Sequence, residues 1–214
     1  MSVMPQRRPH ISEEKIIAAS WRLLSDQGIE NFTIRSLCKE LNVQAPTIYW
    51  YFESKQVLIQ TLANLVSREI IGDLPKQGDW RERLQTSAMV IRKKLQQYPC
   101  SGQLLMKSKP EADFMELLEC LLQMIEPTSL TDKQKFSYIT HLLNYVINFV
   151  VEEYEQRMVQ ISLGNKEDIH GDFSQFNLLR RMYEEGMFNL IGSDELFDSG
   201  ILLLLDGIEQ RITP

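Results

Sequence analysis

The chain has 214 residues, of which 43% are hydrophobic and 24% charged, the profile of an ordinary globular protein long enough to bury a core without staples. Met1–Ile11 contains no apolar stretch of the secretory kind, and the longest aliphatic run, Ile201–Leu205, is far too short for a bilayer, so a cytoplasmic protein with no membrane partner is expected. The net charge is −6, but residues 1–72 hold 8 Lys/Arg against 7 Asp/Glu while residues 73–214 hold 15 against 22, so any nucleic-acid contact in the first part must come from local geometry rather than bulk charge.

The pattern reads as helix after helix, with no strand alternation, internal repeat or low-complexity tract. The first helix runs from Ser12 to about Gln27. Ser12 suits the N-cap, Glu13 and Glu14 favour the positive end of the dipole, and Gly28 suits the stop. Ile16, Ile17, Ala19, Ser20, Leu23 and Leu24 form its apolar face. Thr33 can cap a second helix, Ile34–Leu41. After a short break at Asn42-Val43, a third helix starts near Gln44 with Pro46 in its first turn, where a missing N–H costs nothing, and ends near Phe52. Ser54 caps a fourth, reaching about Ile71. Gly72, Pro75 and Gly78 mark a boundary that divides the chain into parts 11–72 and 73–214. Helices are predicted beyond it at about 80–97, 101–108, 111–125, 131–156, 174–190 and 194–211, with a polar, Gly-containing mobile loop at about 158–172. The fold class is therefore all-α.

Residues 33–52 have the spacing of a helix-turn-helix. Leu37, Val43 and Ile48 would pack its two helices, and Phe52 would join the core. Gln44, Ala45, Pro46, Thr47, Tyr49, Trp50 and Tyr51 are then left on outward faces. Gln44 can donate to and accept from a base edge, and Ala45, Pro46 and the Thr47 methyl can touch a thymine methyl. Arg35 could reach a guanine or a phosphate, and Thr33, Thr47, Tyr49, Tyr51 and Lys55 suit phosphate oxygens. Taken alone, a Tyr-Trp-Tyr-Phe run is more often core than DNA contact; the combination with capped flanking helices is what favours DNA.

The run G-I-E-N-F-T-I-R-S-L-C-K-E-L-N-V-Q-A-P-T-I-Y-W-Y-F-E-S-K, Gly28 to Lys55, resembles the signature of the TetR family of repressors. Gly28, Thr33, Arg35, Leu37, Val43, Thr47, Tyr49, Phe52, Lys55 and Leu58 all fall in register. The resemblance implies a homodimer whose recognition helices occupy successive major grooves of a palindromic double-stranded operator, about 34–36 Å apart.

The second part is the regulatory body. The helix at 131–156 carries Phe136, Ile139, Leu142, Leu143, Val146, Ile147, Val150 and Val151, apolar over more than one stripe, and so must be covered on two sides. The last helix, with Leu196, Phe197, Ile201–Leu205, Ile208 and Ile212, shows the same excess. Two such helices from each of two chains would make a four-helix bundle, although both could instead be central in a monomeric core.

A weaker likeness to the tetracycline-binding branch of the family runs through this half at Trp80, Lys109-Pro110, Val151-Glu152 and Gly207-Ile208-Glu209. Its drug pocket does not carry over. Positions that should supply imidazoles hold Ile71, Leu105 and Asn144, and others hold Ser87, Ile91 and Leu121; Pro110 and Glu152 remain, and Lys109 replaces an arginine. Leu and Ile offer no lone pairs to a hydrated metal, so no magnesium–tetracycline chelate, metal or cofactor is expected. The expectation that remains is an unidentified small-molecule effector in a more apolar pocket lined by Ile91, Leu105 and Leu121 near Met106, Met124 and Tyr145. Ser87, Lys109, Asn144 and Glu152 would be its polar anchors. The helix from Ser54 to Ile71 would be the lever joining pocket to DNA.

An enzyme is the main rival. His10, His141 and His170 are scattered, with no nucleophile–base pair and no Gly-rich phosphate loop, and Glu152-Glu153-Glu155 lacks the Glu-x-x-His motifs of a di-metal bundle. Cys38, Cys100 and Cys120 have no metal-ligand spacing and read as reduced thiols. The chain is expected not to be an enzyme. A helical interaction module that never reads DNA is the other rival.

Overall fold

The computed structural model describes residues 11–163 and 175–212, and the side chains within all of these except 159–163. Ten α-helices and a short 3-10 turn make up the described secondary structure, and no strand occurs among the described residues.

The local chemistry accounts for the helix starts. Ser12 accepts from the Lys15 N–H (3.4 Å) and opens α1, Glu13–Asn31. Gly28, at φ 72°, interrupts α1 where the sequence predicts its end, but helical residues resume through Asn31. Thr33 and Ser36 form a capping box at the head of α2, Ile34–Leu41, and Asn42 closes it in the left-handed region at φ 52°, which Asn tolerates better than most residues. Next come α3, Ala45–Tyr51, and α4, Lys55–Asp73, which is capped by Ser54. The body consists of α5 (Trp80–Gln97), α6 (Ser101–Lys107), α7 (Ala112–Ile125), α8 (Asp132–Leu163), α9 (Asn177–Glu184) and α10 (Asp194–Ile212). Asp79 and Glu82 form a second capping box at the start of α5.

Three expectations need correction. α8 does not stop near residue 156 but continues to Leu163, so 158–163 is helical rather than loop; the remainder of the expected mobile loop, 164–172, lies outside the described residues. Arg157 to Leu163 contains no glycine or proline, and nothing in that run opposes helix before Gly164. The single helix predicted at 174–190 is α9 followed by a 3-10 turn at Met187–Leu190, with residue 174 outside the described residues. The break falls at Gly186, whose φ of 77° lets its N–H turn back to the Tyr183 carbonyl (2.9 Å).

One buried cluster runs through both parts of the chain. Ile16, Ala19, Leu24, Phe32, Leu37, Ile48 and Phe52 fill the N-terminal head. α4 continues the core through Leu58, Leu62, Ala63, Val66 and Ile70 and packs on α5, α6 and α7. Ile139, Leu142, Leu143, Val146, Ile147 and Val150 of α8 are all buried within the protomer. α8 is indeed covered on two sides, but by α5, α6 and α7 and by α10 of its own chain. Its exposed stripe is polar at His141, Asn144, Asn148 and Glu152, but Phe136, expected on the apolar surface, is also exposed near the start of the helix. On α10, by contrast, Phe197, Ile201, Leu205 and Ile208 turn inward while Leu196, Leu202 and Leu203 are exposed, Leu203 to 74%. Among the described residues no helix is long and apolar enough to cross a membrane.

Candidate nucleic-acid interface and ligand pocket

α3 is seven residues long and is held from below. Ile48 is fully buried and Phe52 nearly so, and Leu37 of α2 is buried with them. α2 is fixed to α1 by the Arg22–Glu40 ion pair (3.1 Å) and by the bond from the Gln27 amide to Ser36 Oγ (3.1 Å). Gln44 occupies the N-cap of α3 through its backbone alone; its side chain makes no capping bond and stands in solvent. Beside it Pro46 is exposed, and at the other end Tyr49 is 47% and Trp50 79% exposed. An indole that bare on a short, rigid helix is an outward-facing apolar surface of the kind that marks a binding site. Ala45 and Thr47 are half-buried at the margin of this face, and Thr33 and Arg35 are exposed at the start of α2.

Several of the anticipated contact residues have intramolecular engagements, beginning with Thr33, whose hydroxyl accepts from the Ser36 N–H (3.0 Å) in the capping box of α2. Lys55 is half-buried, with Nζ 5.7 Å from the centre of the Phe32 ring. The Tyr51 hydroxyl donates to the Ile11 carbonyl (2.7 Å), and its ring packs edge-on against Trp50 at 4.6 Å.

The head is coupled to the body by polar contacts that pattern reasoning missed. Gln60, 8% exposed on α4, donates to the Lys109 carbonyl (3.0 Å) and accepts from the Lys109 N–H (2.9 Å). Gln56 donates to the Lys107 carbonyl (3.0 Å), Asn64 to Glu111 (3.1 Å), and Arg68 pairs with Asp113 (2.9 Å). Lys107 also pairs with Glu30 of α1, which holds that carboxyl below its ordinary range. The chain between α6 and α7 is thereby strapped along α4. The signal was present in the sequence: Gln60 directly follows the apolar run Val57-Leu58-Ile59, and a buried amide must find partners. Cys100 lies at another head–body contact, with Sγ 3.6 Å from the Leu24 carbonyl and 3.3 Å from the Tyr154 hydroxyl, and burial pushes both its thiol and the Tyr154 phenol up, the latter to about 12.

The anticipated pocket residues fall into separate groups. Ser87, Ile91 and Leu121 are fully buried and Leu105 is 7% exposed, on α5, α6 and α7, of which α5 packs against both others. The Ser87 hydroxyl lies 3.4 Å from the thioether of buried Met124. Asn144 and Glu152 are elsewhere, on the outer face of α8, where they line an open groove of about 410 Å³ with His141, Tyr145, Asn148, Phe149 and Leu204. The Tyr145 hydroxyl is bonded to the Leu196 carbonyl (3.1 Å), Met106 is exposed, and Lys109 is exposed with its backbone held by Gln60. A smaller cleft, about 240 Å³, lies between α5 and α10 over Arg92. That guanidinium sits 4.4 Å from the Phe197 ring centre and 5.2 Å from that of Phe149, and pairs with Glu153 and Asp194. Burial disfavours its charge, but the two carboxylates outweigh that and raise its pKa. No group of three or more His, Cys, Asp or Glu placed to hold a metal occurs among the described residues.

Comparison with known proteins places both parts of the chain. The family described as "Bacterial regulatory proteins, tetR family" matches residues 16–62, and that described as "Tetracyclin repressor-like, C-terminal domain" matches 73–212. The class A tetracycline repressor of Escherichia coli is 24% identical over 198 residues, covering 92% of this chain and 89% of its own. A variant of TetR from Acinetobacter baumannii AYE, solved with minocycline, has the same fold, with a TM-score of 0.70 at 24% identity over 95% of this chain and 99% of that one. BioQ solved with its double-stranded DNA operator is similar at 25% identity and a TM-score of 0.62, covering 72% of this chain and 93% of that one.

Proposed function

Because the chain belongs to the TetR family and is a DNA-binding transcriptional regulator of that family, we propose that it is a homodimeric repressor, released from a palindromic operator by a small molecule other than magnesium–tetracycline. The observation that carries the reading is the outer face of α3. Gln44, Pro46, Tyr49 and Trp50 are exposed there while Ile48 and Phe52 clamp the helix from behind. A helix presented in this way can enter a major groove, about 12 Å wide, and offer the Gln44 amide to a base edge. Arg35, Thr33, Thr47, Tyr49 and Lys55 are the candidates for phosphate and flanking contacts, with Ala45 beside the thymine methyls.

The exposed leucines of α10 support the dimer. Leu196, Leu202 and Leu203 on one helix are more apolar surface than a solvated helix needs, and the same helix of a second copy would cover them. Across the interface α8 would contribute a mainly polar stripe with Phe136 at its start. For the effector, the buried group Ser87, Ile91, Leu105 and Leu121 favours an apolar molecule with a single hydroxyl partner, and Asn144, Glu152 and Lys109 would act only if the bundle opens toward them. Shifting the DNA-competent population from 99:1 to 1:99 takes about 5.5 kcal/mol of differential binding. The strap from Gln56, Gln60 and Asn64 to residues 107–111 offers a route by which movement of the body reaches α4.

Selection of bound fragments from a random DNA pool tests the reading. A palindrome with half-sites one helical turn apart is the expected product; enrichment of no sequence, or of an asymmetric one, would overturn it.

A further inference from the structure

A buried cation lies in the body, away from both the recognition helix and the apolar group around Ser87. Met89, Arg92, Lys93 and Gln96 stand three, four and seven positions apart along one face of α5, whereas Ser87 and Ile91 face about half a turn away. That face meets the first turn of α10, and between the two helices lies the cleft of about 240 Å³. At about 30 Å³ each it has room for about eight waters, or for one organic acid the size of benzoate. Arg92 lines it, only 9% exposed, against the rings of Phe149 and Phe197.

A guanidinium has two edges that match a carboxylate. Glu153, largely buried, takes the edge formed by Nε and Nη2, and the Gln96 amide donates to the same carboxylate (3.0 Å). The edge formed by Nη1 and Nη2 is half used: Asp194 meets Nη2 at 2.8 Å, and no described residue bonds Nη1. Glu153 already neutralises Arg92, so Asp194 is a surplus carboxylate. Its side chain is 90% exposed, so it buries almost no surface in return. Lys93 stands exposed at the rim and pairs with no described residue, while exposed Asp198 is the other carboxylate on the wall.

We propose that the cleft between α5 and α10 is a second ligand site, which takes a small organic monocarboxylate, and that Asp194 is a tethered occupant which the ligand replaces on Arg92. Exchange of one carboxylate for another leaves the charge around Arg92, Lys93, Glu153 and Asp198 unchanged. What the ligand adds is the bond to Nη1, attraction to Lys93, and an apolar tail laid against Met89, which is 45% exposed, and the edge of Phe197. Asp194, once displaced, returns to water and releases the start of α10 from α5. The inference goes beyond the repressor reading and does not depend on it, because binding is measured without DNA.

The test is calorimetric titration of the full chain with sodium benzoate at constant ionic strength, with benzamide as the uncharged counterpart. Benzoate should bind and benzamide should not. Asp194→Asn removes the tethered competitor and should tighten benzoate binding about two- to five-fold, the factor by which an exposed ion pair can hold the seat. Lys93→Glu, at the exposed rim, should weaken it by about five-fold or more. The double variant Arg92→Met/Glu153→Gln removes the anchor without stranding a buried charge and should abolish binding. Should that variant fail to fold, the two surface variants still decide. No benzoate binding in either the unmodified protein or Asp194→Asn overturns the proposal. So does equal binding of benzamide, or an affinity that Asp194→Asn leaves unchanged or weakens, which is the result expected if benzoate enters the Ser87 group instead.

Discussion

Gln44 and Lys55 should separate the two kinds of DNA contact. Gln44 is solvent-exposed with a free amide, so Gln44→Ala should cost about 1–3 kcal/mol on the preferred site and relax preference at one base position, as read by competition among operator variants. Lys55→Ala should weaken all sequences alike and lower the salt slope by about one. Ile48, fully buried beneath the same helix, should behave in a third way: Ile48→Ala should lower unfolding stability by about 2–5 kcal/mol through the cavity it leaves, with a matching fall in melting temperature. At this scale the sequence was informative where a residue's chemistry and its helical position agreed. Gln44, Pro46, Tyr49 and Trp50 face outward as the spacing implies. What could not be read was long-range hydrogen bonding. The Tyr51 hydroxyl meets a carbonyl 40 positions away, and Gln60 meets Lys109 49 positions away, because only the fold brings those groups together.

Helix starts were legible because caps are local. Ser12, Thr33 and Ser54 each accept a backbone N–H three residues on. Helix ends were less so: Gly28 interrupts α1 without ending it, and Gly186 divides the segment expected as one helix. The covering of α8 was legible in kind but not in partner, since an apolar helix surface does not say which chain will bury it. That matters for the dimer, which on this account depends on α10. Leu203→Asp should leave the protomer's stability within about 0.5 kcal/mol, because the side chain is 74% exposed, yet shift the protein from dimer to monomer by light scattering. A dimer that survives this change would locate the interface elsewhere. Gly200 offers a complementary test, since a Cβ there would lie 2.1 Å from the Tyr145 hydroxyl; Gly200→Ala should displace Tyr145 and loosen α10 from α8, seen as a lower melting temperature.

For the whole molecule, the head and body form one continuous core stitched by ion pairs and amides at α4 and α6. The Glu30–Lys107 pair gives this joint a pH dependence. Glu30 is held below its ordinary value of 4.5, chiefly by its bond to Lys107, so its contribution is fully present above 4.5 and is lost as the pH falls through the lowered value. Lys107→Met should remove most of that dependence and leave the smaller part due to Lys55, which acid titration followed by circular dichroism would detect. Calorimetric titration with magnesium and tetracycline should show no tight, metal-dependent binding, because Ile71, Leu105 and Asn144 supply no imidazole. The central claim is that α3 reads DNA from the major groove, and methylation interference tests it most directly, since methyl groups on guanine N7 project into the major groove and those on adenine N3 into the minor. Methyls on guanine N7 within each half-site should block binding, and Gln44→Ala should abolish the block at one position; binding indifferent to N7 methylation but blocked by adenine N3 methylation would contradict the account.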